Sequence, residues 1–334
     1  MFNAFKKYIK KTLSMVTATT IIAVTVFSMA APVAAATGST DTSAAWPDAP
    51  SITCESAILI DADTGSILYE KDAYRKCYPA STTKILTGLL TIENCNLSDT
   101  MTISTNAANS VNPYEDANLS MKAGEQITVE QALYGLLLYS ANEIAYALAE
   151  QVAGTADAFV DMMNKRVETL GLKNSHFENC TGLDDEVTNH YSCAYDLAVI
   201  AKEVMKHKLI LKYSTVWLDS LRNGKTELNN TNKMINKYNG MTGLKTGTTS
   251  NAGFCLCATA TRDGISFVSV VLGAQTSDER FALTQELLDY GFANYKLDNI
   301  KIDNSKLKTV KVKNGVDKSI TPKCELNKKL LLPK

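Results

Sequence analysis

A lysine three residues after a serine on one helical turn can take the proton of that serine's hydroxyl, and the chain offers such a pair in Ser81-Thr82-Thr83-Lys84. Two more short patterns follow in order, Ser140-Ala141-Asn142 and Lys245-Thr246-Gly247-Thr248. Together they describe a serine acyltransferase whose base is a lysine. Each pattern alone is weak. Ser305-Lys306-Leu307-Lys308 repeats the first, and Ser104-Thr105-Asn106 and Ser110-Val111-Asn112 repeat the second. Context separates the working set from these copies.

The elements that must position these residues are legible around them. Pro79-Ala80 precedes Ser81, and the apolar run from Lys84 to Ile92 predicts a helix starting near Ser81, with Ser81 and Lys84 on one face. A serine at a helix start also gains from the positive end of the helix dipole. Thr128-Val129-Glu130-Gln131 is a capping-box start for a helix through Leu138, and a second helix is predicted from Glu143 to Val152, stopping before Gly154. Ser140 and Asn142 therefore occupy a tight connection between two buried helices. The third pattern precedes a hairpin, with strands at 253–261 and 265–273 around the turn Arg262-Asp263-Gly264. Gly247 is expected to let a ligand approach the strand closely. The copies at Ser104, Ser110 and Ser305 lack apolar support of this kind.

The whole chain narrows the class further. Lys6, Lys7, Lys10 and Lys11, then apolar residues to Met29 and Ala34-Ala35-Ala36, read as an export signal over residues 1–36, with a retained anchor as the alternative. Losing those four lysines, with no acid in the segment, takes the formal charge from -1 to -5. No basic patch for nucleic acid is implied. Residues 37–50 read as a flexible linker. The eight cysteines are scattered, so their pairing stays open, and Cys255 and Cys257 read as core thiols on one face of a strand. No zinc-ligand spacing, phosphate loop, Gly-x-Ser-x-Gly or Gly-x-Gly-x-x-Gly occurs, so no metal or cofactor is expected. His176, His190 and His207 have no marked partners, and His190 reads as structural.

With these residues placed, the chain resembles the D-alanyl-D-alanine carboxypeptidases, low-molecular-mass penicillin-binding proteins of the serine peptidase type. The resemblance runs from about Ser51 to Tyr295 and includes Asp61-Ala62-Asp63-Thr64-Gly65, Leu228-Asn229-Asn230-Thr231-Asn232 and the stretch from Leu288 to Tyr295. It implies an α/β fold of the α+β type, like that of DD-peptidases and β-lactamases: an antiparallel sheet flanked by helices, with an all-helical insertion. The catalytic domain is expected over 51–295, followed by a partial β-rich segment over 296–334. Strand signals at 56–70 and 243–273 and helical signals between agree with it. A helix from Asp278 to Tyr290, capped by Ser277, should pack back on the sheet. The amphipathic helix that anchors many relatives to a membrane is not found before Lys334, so membrane association is left open.

The same resemblance implies roles. Ser81 attacks the carbonyl between two D-alanines of a peptidoglycan stem peptide, with β-lactams as covalent inhibitors. Lys84, its pKa lowered by burial and by Lys245, is the base. Ser140 relays a proton to the departing amine, Asn142 holds Lys84 and the peptide, and Lys245 supplies positive charge. The hydroxyls of Thr246 and Thr248 suit the terminal carboxylate, while the backbone N–H groups of Ser81 and Thr248 form the oxyanion hole. Three rivals share parts of this chemistry: a class A β-lactamase, for which the candidate deacylating glutamate, Glu227, lies beyond the helical region where it would belong, a transpeptidase or endopeptidase, and a penicillin-sensing domain.

Overall fold

The computed structural model describes residues 48–185, 187–301, 303–324 and 327–334. The expected export signal over residues 1–36 and all but the last residues of the expected linker lie outside the described residues. Strands β1 (Ser56–Asp61) and β2 (Ile67–Lys71) form the opening hairpin. Its turn is closed by Asp61, whose carboxylate accepts from the backbone N–H of Thr64 at 3.0 Å and from its hydroxyl at 2.5 Å. A 3-10 turn (Ala80–Thr83) leads into α1 (Lys84–Asn94). Strands β3 (Thr100–Thr102) and β4 (Gln126–Thr128) bracket α2 (Thr105–Asn109). The predicted capping box is formed by Thr128 and Gln131 at the start of α3 (Val129–Tyr134), which continues as a π turn (Gly135–Tyr139).

The helical insertion is completed by α4 (Asn142–Ala153), α5 (Ala156–Thr169), α6 (Ala194–Met205) and α7 (Lys208–Ser214), followed by a hairpin of β5 (Leu218–Leu221) and β6 (Thr226–Asn229). The chain then returns to the sheet with β7 (Met241–Thr249), β8 (Gly253–Arg262) and β9 (Ile265–Ala274), and covers it with α8 (Ser277–Asn294). Thr276, rather than Ser277, caps α8: it is the residue with extended backbone, and its hydroxyl accepts from Glu279 N at 3.1 Å.

The sheet is antiparallel with order β2-β1-β9-β8-β7. Its central strands are buried on both faces, and the alternation of side chains decides which core each residue joins. Ile58, Ile60, Cys255, Cys257, Val268 and Val270 face the helical insertion. Ala57, Leu59, Leu256, Ala258 and Phe267 face α8, whose Leu283, Leu287 and Leu288 complete that core. Each fully buried leucine of this kind contributes roughly 1.5–3 kcal/mol. Strand β7 is left at the edge of the sheet, packed against the insertion and the turn that carries Ser81. All eight cysteines are free thiols.

The larger compact unit comprises the described residues up to Leu297 together with Leu331–Lys334; a second holds the described part of Asp298–Leu330. Toward the end of the sequence β10 (Tyr295–Lys301) pairs with β13 (Asn327–Pro333), and within the second unit β11 (Val310–Lys311) pairs with β12 (Ser319–Ile320). No helix among the described residues is long and apolar enough to cross a membrane.

The turn that carries Ser81 rests on the segment after Cys180. Gly182 has φ +89°, and a Cβ there would sit 1.8 Å from the carbonyl oxygen of Ala80. Gly182→Ala is therefore expected to cost about 2–4 kcal/mol, from overpacking and left-handed backbone together. Urea unfolding of the variant would show the loss as a lower midpoint, and an unchanged midpoint would contradict the packing described.

Candidate active site

Lys84 is fully buried at the first position of α1, one turn after Ser81. Its Nζ lies 3.0 Å from Ser81 Oγ, 2.6 Å from Asn142 Oδ1 and 2.8 Å from the carbonyl oxygen of Thr181. Burial lowers its pKa from the ordinary lysine value to about 7, with Cys180, Asp116 and Glu143 pulling weakly the other way. The sequence reading gave Lys245 a share in this shift. The structure instead makes burial the cause for Lys84. A neutral amine has two N–H groups and one lone pair. Asn142 Oδ1 and Thr181 O can only accept, so they take the N–H groups and leave the lone pair for the Ser81 hydroxyl.

Local backbone explains why Ser81 stands where it does. Ala80 has φ +48°, a left-handed conformation uncommon for a residue with a side chain, and Thr82 folds back through its hydroxyl onto Pro79 O at 2.6 Å. The hydroxyl of Thr83 meets His190 Nε2 at 3.1 Å. His190 Nδ1 accepts from the backbone of Glu178, and burial lowers the histidine pKa to about 4. A neutral imidazole wedged behind the turn is thus a structural part, as expected from the sequence.

Ser140 ends the π turn with φ 71° and ψ 25°. Its hydroxyl is buried and has no partner, a state that native structures rarely tolerate without a reason. Asn142 opens α4, and its backbone N–H donates to Ala117 O at 2.8 Å, which fixes the amide that grips Lys84.

The third pattern lies on the edge strand β7. Lys245 is buried and donates to Thr246 O at 2.9 Å. Burial holds its pKa well below the lysine norm, and the positive charges of Lys84 and Arg280 lower it further. The close approach expected at Gly247 is made by the chain itself: a Cβ there would lie 2.9 Å from both Ala80 Cβ and Ser81 N. Only a residue without a side chain brings β7 this near to the backbone of Ser81. Thr246 Oγ1 donates to Thr231 Oγ1 at 2.7 Å, and Thr248 is exposed. One residue of each later motif thus reaches the Ser81–Lys84 pair: Asn142 through Lys84, and Gly247 against the backbone of Ala80 and Ser81.

Sequence reasoning missed Arg280, on α8. Its Nη1 donates to Gly247 O at 3.0 Å and to Thr248 Oγ1 at 2.9 Å, and its Nε is buried without a partner. A guanidinium remains protonated where a buried amine need not, so Arg280 is the secure positive charge beside β7. Nothing local in Ser277-Asp278-Glu279-Arg280 announces this reach. The carbonyl of Thr181 was equally invisible, since any residue carries one. The copies of the motifs are occupied elsewhere: Ser104 caps α2, Ser110 donates to Ala107 O, and Ser305 donates to Asp303. Glu227 is exposed on β6, pairing with Ser220 across the hairpin. Among the described residues no cluster of ligating side chains could hold a metal ion.

Comparison with known proteins points to one family. A D-alanyl-D-alanine carboxypeptidase from Bacillus subtilis, DacF, is 40% identical over 250 residues, 72% of this chain and 63% of that protein. The Escherichia coli D-alanyl-D-alanine carboxypeptidase DacA is 35% identical over 257 residues, 74% of this chain and 62% of its own length. The chain therefore spans less than two thirds of these curated relatives. Penicillin-binding protein 5 from Haemophilus influenzae superposes with a TM-score of 0.76 at 29% identity, covering 86% of this chain and 85% of that one. A mutant of the Streptomyces K15 DD-transpeptidase matches with a TM-score of 0.68 at 30% identity, over 73% of this chain and 100% of that one. The family model described as D-alanyl-D-alanine carboxypeptidase matches residues 42–276, well over half the sequence, and the chain belongs to that family.

Proposed function

We propose that the chain removes the terminal D-alanine from peptidoglycan stem peptides through an acyl-enzyme on Ser81, and that penicillins acylate the same serine. The observation that carries this reading is the 3.0 Å contact between Ser81 Oγ and a buried amine poised near neutrality. Lys84 takes the hydroxyl proton as Ser81 attacks the carbonyl. The N–H groups of Ser81 and Thr248 receive the developing oxyanion, where losing one such donor costs about 3 kcal/mol in the transition state. Ser140, with its unpartnered hydroxyl, passes a proton to the departing amine. Water then repeats the sequence in reverse.

The terminal carboxylate of the substrate falls to the Thr246 and Thr248 side of the cleft. Arg280 supplies the charge there more securely than Lys245, whose own charge is opposed by burial and by two cations. An edge strand also suits an extended peptide, which can add its backbone to β7 while side chains project alternately. The leader-type composition of residues 1–36 supports a site of action outside the cytoplasm. Transfer to an amine instead of water is a second reading, favoured by the DD-transpeptidase likeness.

Incubation with a synthetic pentapeptide ending in D-Ala-D-Ala is expected to release one alanine by mass spectrometry, and abundant cross-linked dimers would point to transfer instead. Fluorescent penicillin should label the wild type, while Ser81→Ala stays dark; label on the variant would remove Ser81 from its role. Because only the neutral amine of Lys84 can act as base, acylation should fall as pH drops through about 7. A flat profile from pH 5 to 9, a range of about four units around that value, would contradict a lysine base. Arg280→Gln should reduce kcat/KM about 10–100-fold on the free-acid peptide, the loss of one charged hydrogen bond, and much less on its C-terminal amide.

A further inference from the structure

We infer that Glu143 and Arg222 act together as positioning residues, gripping the strap Leu119-Ser120-Met121 from opposite sides and so fixing Asn142 against Lys84. The inference rests on the acyl-transfer reading above. Glu143 is the residue after Asn142, is fully buried, and has no part in the mechanism as described. Its Oε1 accepts from the backbone N–H of Leu119 at 2.5 Å and of Met121 at 3.3 Å. Arg222 takes the other side of the same backbone: Nη1 donates to Leu119 O at 3.0 Å and Nη2 to Ser120 O at 3.3 Å.

Each gripping group is itself held. Arg222 binds Glu125 through Nε at 2.5 Å and Nη2 at 2.9 Å, and donates to Thr226 Oγ1 at 3.0 Å. It sits at φ +55° in the turn between β5 and β6, so the whole hairpin backs the guanidinium. Ser120, between the gripped residues, is also left-handed, at φ +51°. Two such residues facing one another, one strapped and one strapping, persist only where the surroundings over-determine them.

The consequence runs into the cleft through Ala117. That residue lies two positions before Leu119, and its carbonyl accepts the backbone N–H of Asn142, whose side chain takes one N–H of Lys84. A strap free to drift would loosen Asn142 and with it the direction of the Lys84 lone pair. Catalytic geometry tolerates such drift badly, since misplacement of about 1 Å can cost on the order of 100-fold in rate. The buried carboxylate is retained because it accepts two backbone donors that no hydrocarbon could satisfy.

The test follows the rate of Ser81 acylation by fluorescent penicillin, resolved into the limiting acylation rate and the half-saturating concentration. Arg222→Ala, at a side chain near the surface, should lower the limiting rate about tenfold with half-saturation changed less than twofold. Glu143→Ala should lower it further, and Glu143→Gln, which keeps one acceptor oxygen, should return to within about threefold of wild type. Rates equal to wild type in Arg222→Ala and Glu143→Ala would overturn the clamp. So would a Glu143→Gln as slow as Glu143→Ala. Should Glu143→Ala fail to fold, Arg222→Ala decides alone. A wild type that acylates yet leaves the pentapeptide intact would end the carboxypeptidase reading while the ratio of acylation rates still judges the clamp.

Discussion

Removing one ammonium group from water organises the packing around Ser81 and Lys84. An isolated charge in a protein interior is costly enough that the group gives up its proton instead. At Lys84 the helical insertion does the excluding, with α1 supplying the residue, Asn142 at the start of α4 one acceptor, and the segment before Gly182 the other. The lowered pKa of Lys84 is therefore a product of the packed fold. Neither the serine nor the lysine has unusual chemistry in an unfolded chain, where the amine would stay charged and the hydroxyl inert.

Around that group, the cleft divides electrostatic labour between two kinds of cation. Buried amines are adjustable and can lose their proton; a guanidinium cannot. Lys84 needs adjustability, and its neighbour on β7 is pushed in the same direction by the same burial. Arg280 restores a permanent positive charge from the opposite face of the sheet, bonded to Gly247 O and Thr248 Oγ1. The arrangement explains why a helix on the far layer contributes to a site that the insertion otherwise builds.

Much of this was legible in the sequence, for identifiable reasons. Helical periodicity put Ser81 and Lys84 on one face, the capping box at Thr128 and Gln131 set the start of α3, and strand alternation placed Cys255 and Cys257 in the core beside the insertion. What escaped depends on tertiary reach or on backbone atoms. Arg280 reads like any solvent-facing helical arginine until the sheet is folded. The carbonyl of Thr181 has no letter in the sequence. Gly247 was rightly singled out, but its neighbour is the nucleophile's own turn, which only the meeting of β7 with residues 79–81 reveals.

The order of strands in the sheet also dictates when the molecule can exist as a folded body. Leu59 on β1 lies opposite Ser269 on β9, so the first strand waits for 210 further residues before it gains its central neighbour. Pairings that distant form slowly, because a long loop must close before any contact rewards it. A chain still emerging from a ribosome has no completed sheet, hence no dry pocket for the amine. Lys84 would thus keep its charge until β7, β8 and β9 have joined the sheet.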